Sequence, residues 1–78
     1  MIINTDNAEL KRALRVLDAN GERVSNLLWF NTSSNVGSAV INGKEQRVEA
    51  SSFCFVGDTD RLKKLLPSSL HHRIVSVS

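Results

Sequence analysis

Thiols are the first thing this chain lacks. Cys54 is its single cysteine, which excludes an internal disulfide and a zinc site built from several thiolates. One thiol suits a reducing compartment, where a small fold must live on its core alone, so a cytoplasmic protein is expected. No apolar run approaches the ~20 residues of a membrane-spanning helix, and no membrane partner is expected. The opening stretch MIINTDNAEL has no basic segment followed by a long apolar run, so it is not expected to be a signal peptide. The glycines are dispersed at positions 21, 37, 43 and 57, which leaves no Gly-rich loop to cradle phosphate. Charge of one sign is also missing. The net charge is +2 and the basic residues are scattered, unlike the clustered stripe of a dedicated duplex binder.

What remains is an ordinary globular composition in 78 residues, room for one domain, taken as 1–78. A chain of this length buries only about 60% of its unfolded surface, so its core is thin.

The strongest local pattern is TDNAELKRALRVLDANG. Asp6 as an N-cap and Glu9 three residues on form a capping-box pattern. Leu10, Ala13, Leu14 and Leu17 follow at the spacing of one helix face. Asn20-Gly21 supplies a left-handed C-terminal stop, so one helix reaching to that pair is expected. ERVSNLLWFN then reads as a strand and NTSSN as a turn. Asn42-Gly43 between two extended runs predicts a type I′ hairpin, and Ala50-Ser51-Ser52 a break before SFCFVG. Asp58 or Thr59 caps a second, shorter helix that Pro67 stops. HHRIVSVS reads as a last strand, with Arg73, Val75 and Val77 on one side and His72, Ile74 and Ser76 on the other.

The expected fold is therefore α+β: a mostly antiparallel sheet of four to five strands backed by two helices, a βαββαβ plan with an extra hairpin. The alternative is a small bent β-barrel behind an N-terminal helix.

For catalysis the candidates are Cys54, His71, His72, Asp58 and Asp60. The usual βαββαβ strand order puts the first strand between the strand of Cys54 and the last one. That spacing, about 9–10 Å, is too long for a thiol–imidazole pair. A buried structural thiol and no enzyme are expected. His71 and His72 are neighbours, and on a strand they would face opposite ways and could not share one ion. No catalytic, metal or cofactor residue is expected.

SFCFVG resembles the alternating-aromatic strand of RNA-recognition-motif domains, which share the βαββαβ plan. The resemblance spans about six residues and implies that Phe53 and Phe55 lie on an open sheet face and stack on bases. The chain departs from that family at Ile2 and Ile3, where another aromatic is usual, and before Phe53, where no basic residue stands. The other reading places Phe53 and Phe55 in the core, and core is expected for at least one of them.

LLWF and FCFV are apolar on both faces, more than two short helices can cover, and an uncovered apolar face points to an interface. The expected function is a small non-enzymatic regulatory or inhibitory protein that binds another protein and forms a homodimer. Proteins of this size encoded by phages and mobile elements often work this way. The partner-binding candidates are Trp29 and Phe30, then Val40, Lys44 and Arg47 on the hairpin arm. Lys11, Arg12 and Arg15 form a basic helix face, to be weighed against a solvated surface quenched by Glu9–Arg12 and Arg15–Asp18 pairs. The alternatives are a nucleic-acid-binding module using Phe53 and Phe55, and a structural subunit of an assembly.

Overall fold

The computed structural model describes residues 1–76, so Val77 lies outside the described residues. Along the chain come β1 (Ile2–Ile3), a 3-10 turn (Thr5–Asn7), α1 (Ala8–Ala13), β2 (Leu14–Leu17), β3 (Leu27–Asn31), β4 (Val36–Ile41), β5 (Lys44–Glu49) and β6 (Ser52–Gly57). Then follow α2 (Thr59–Leu65), a second 3-10 stretch (Ser68–Arg73) and β7 (Ile74–Ser76). The fold is α+β with mostly antiparallel pairing, and its strands divide between two open sheets. The larger has the order β1-β3-β4-β5 and the smaller β2-β6-β7. Neither closes into a barrel.

The long first helix is the main correction. It ends at Ala13, and Leu14–Leu17 turns extended and pairs with β6, Leu14 opposite Phe55 and Val16 opposite Phe53. Leu14 and Val16 are buried while Arg15 and Leu17 are not, the alternation of a strand. The N-cap also moves. The Asn4 side chain accepts from the Asp6 amide at 2.9 Å, and Asn7 returns the bond by accepting from the Asn4 amide at 2.7 Å. Asn20-Gly21 terminates no helix. It belongs to a turn in which the Asp18 carboxylate accepts from the Asn20 and Glu22 amides at 2.8 and 3.0 Å, with Gly21 at φ +79°.

Elsewhere local chemistry decides as expected. Asn42 and Gly43 have φ of +53° and +78°, the left-handed pair that a type I′ turn requires. Asp58 caps α2 by accepting from the Arg61 amide at 3.1 Å. β5 stops at Glu49 and β6 resumes at Ser52, at the expected break.

The core lies between the inner faces of the two sheets. Ile3 and Phe30 come from the larger sheet, Leu14, Val16, Phe53 and Phe55 from the smaller. Leu10 of α1 and Leu62 and Leu66 at α2 complete it. Phe53 and Phe55 are 4% and 0% exposed, so both are core. They are not the base-stacking platform that the RNA-recognition-motif resemblance implies. Arg73 closes the core from outside, its guanidinium carbon 4.6 Å above the Phe53 ring, a cation–π contact.

Candidate partner-binding surfaces

A one-residue irregularity sorts the apolar run of β3. Leu27 pairs with Ala39 but Trp29 pairs with Ser38, so the register shifts at Leu28. A bulge of this kind breaks the period-two alternation. It lets Leu27 and Phe30 both face inward, while Trp29 turns to the outer face of the larger sheet. Phe30 is 0% exposed, a core ring and not a surface residue, which corrects its place among the binding candidates.

On that outer face Trp29 has company. Ile2 is opposite Asn31 and Asn31 opposite Val36, while Val36 and Val40 stand two residues either side of Ser38 on β4. Diagonal cross-strand neighbours lie within reach of an aromatic side chain. Ile2 is 53% exposed, and Trp29, Val36 and Val40 are partly exposed. The helices pack elsewhere, α1 on β6 and β1, α2 on β6 and β7.

Ser38 is the polar residue this strip buries. It is 5% exposed, lies between Trp29 and Arg47 in register, and its hydroxyl donates to Glu45 Oε1 at 2.9 Å. Glu45, Arg47 and Glu49 line the β5 margin of the same face. The Arg47–Glu49 contact is 3.4 Å, with both side chains at least 70% exposed, and such exposed pairs contribute little to stability. Lys44 differs: it pairs with Ile41 on the opposite face, at the exposed hairpin tip, and does not join Trp29, Val40 and Arg47.

Lys11, Arg12 and Arg15 occupy a second surface. They line a groove of about 340 Å³ between α1–β2 and the Arg23–Leu27 segment. Neither quenching pair forms. The Glu9 carboxylate bonds the Arg61 guanidinium at 3.0 Å, which raises the Arg61 pKa above its ordinary value, and Asp18 is held by its turn. Arg15 lays Nη1 against the carbonyls of Arg12 at 2.6 Å and Leu14 at 3.0 Å, satisfying acceptors that the end of α1 leaves open. Arg23 shares the groove. It lies far from the others in sequence, and no local pattern connects it to them.

Two sequence expectations about reactive groups change. Cys54 is half-buried and opposite Arg15 on the outer face of the smaller sheet, not in the core. β7 pairs directly with β6, so no strand separates Cys54 from the C-terminal segment. His71 and His72 sit in the 3-10 stretch rather than a strand. His71 Nε2 lies 3.1 Å from the Lys63 carbonyl and 3.0 Å from that of Leu66. Carbonyls only accept, so Nε2 carries the proton and ties down the end of α2. His72 is exposed. No protein-family model, no curated protein and no solved structure matches this chain.

Proposed function

We propose that this chain is a small non-enzymatic protein of the regulatory or inhibitory kind that acts by protein–protein contact. Its contact is the outer face of the larger sheet, and the first occupant is a second copy of the chain. One observation carries this reading: Trp29, Ile2, Val36 and Val40 form an uncovered apolar strip, while Phe30, Ala39 and Val48 on the inner face are buried. Apolar surface gathered on one face and rimmed by charge is the usual form of an interface. The rim suits a two-fold partner, because Arg47 stands between Glu45 and Glu49 and each copy presents both signs to the other.

Trp29 is the only tryptophan, so its fluorescence reports on this face directly. Raising the concentration to tens of micromolar should shift its emission to the blue as light scattering moves from monomer to dimer mass. Val40→Glu should keep the circular dichroism spectrum and abolish both changes. A monomer with constant Trp29 emission at every concentration would overturn the self-pairing.

A further inference from the structure

The groove between α1–β2 and the Arg23–Leu27 segment is lined by four cations, Lys11, Arg12, Arg15 and Arg23, and by no carboxylate. The chain as a whole has ten basic and eight acidic residues. The groove therefore holds more positive charge than the whole molecule's net +2, and the rest of the surface is net negative. Among the described residues the ion pairs are Arg47–Glu49 and Arg61–Glu9. None of the groove cations has a carboxylate of a described residue within 4 Å. Four like charges held close together without counterions repel one another, a cost that a bound polyanion removes.

We propose that this groove binds the phosphodiester backbone of single-stranded nucleic acid. The cations come from α1, β2 and the segment that pairs with β2 after the Asp18 turn, so the charge is spread over three elements rather than gathered on one. A strand carrying a charge at every residue matches charge spread in this way. Arg15 is positioned before any ligand arrives. Its Nη1 is spent on two carbonyls, which leaves Nε and Nη2 to make the forked contact that guanidinium offers phosphate. Ser25 and Asn26 add neutral hydrogen-bonding groups to the wall. A groove of about 340 Å³ has room for a single backbone and not for a duplex. No aromatic lines it, so contact is with phosphate and independent of base, unlike the stacking mode of sheet-face binders. None of these residues belongs to the Trp29 face, and the two proposals stand or fall separately.

The test is fluorescence anisotropy with labelled oligothymidine across a salt series. Neutralising about four phosphates on a single strand gives a log–log salt slope near −3, about a fifty-fold loss of affinity between roughly 50 and 200 mM salt. Arg12 and Arg23 are both exposed, so Arg12→Gln with Arg23→Gln should leave thermal melting unchanged and cut that slope to about half. Lys63→Gln with Lys64→Gln, on α2 and outside the groove, should leave binding as it was. The proposal is overturned by any of three results: no saturable binding at low salt, equal losses in both double variants, or tighter groove-dependent binding of polyglutamate than of the oligonucleotide.

Discussion

Phe30 of the larger sheet and Phe53 of the smaller meet edge to face, ring centroids 5.2 Å apart and planes inclined at 60°. Phe53 continues the contact to Phe55 at 6.0 Å and 87°. Three rings thus join two sheets that share no strand, and this cluster is where the fold is held together.

Truncating Phe30 or Phe53 to Ala should cost about 3–5 kcal/mol, enough to unfold so small a protein. The Leu variants are the usable pair. In urea denaturation, Phe30→Leu and Phe53→Leu should each destabilise, and the double variant should lose less than the two singles together. Ring-pair coupling is about 0.5–1.5 kcal/mol. Strict additivity would show that the edge-to-face contact adds nothing beyond area.

Gly37 stands opposite Phe30 on β4. A Cβ at this position would come within 2.5 Å of the Trp29 carbonyl oxygen and 3.0 Å of Phe30 Cδ1. The first is backbone and cannot rotate away, so the β3–β4 ladder itself must shift. Gly37→Ala should lower stability by about 1–3 kcal/mol, measured by thermal or urea unfolding. It should also disturb Trp29 emission, since the clash falls on that residue. A variant as stable as the parent would mean the two strands are further apart than described.

Cys54 faces outward on β6, opposite Arg15. A maleimide should therefore label it in native protein without denaturant. Cys54→Ser should change stability by less than about 1 kcal/mol, as for substitutions away from the core. Protection until global unfolding would return the thiol to the interior.

The features legible in the sequence are those decided within a few residues. Asn42-Gly43 forms its turn because both positions need positive φ. Asp58 caps α2 because its carboxylate reaches an amide three residues on. The charged strand KEQRVE needs only its neighbour β4 to form. The pattern put Phe53 and Phe55 on one strand face and favoured core for at least one of them, but only the packing against Phe30 and α2 shows that both are buried.

Residues 14 to 17 show where such reasoning stops. Leu10, Ala13, Leu14 and Leu17 have helical spacing, yet Leu14 and Val16 also have the spacing of a strand. Local spacing chose the helix, and the structure overturned that choice. β6 decides the matter, some forty residues later, by offering Phe55 and Phe53 as cross-strand partners and a ladder of hydrogen bonds.

By itself the sequence determined the Asn42-Gly43 hairpin, the Asp58 cap and the α+β class, all of which rest on short-range backbone preference and period. Tertiary structure alone decided that the strands form two sheets, that Leu28 bulges and turns Trp29 outward, and that Arg23 joins Lys11, Arg12 and Arg15. Each of these depends on which distant segments pair. Pairing is set by how well whole faces bury one another, a quantity no local stretch of sequence contains.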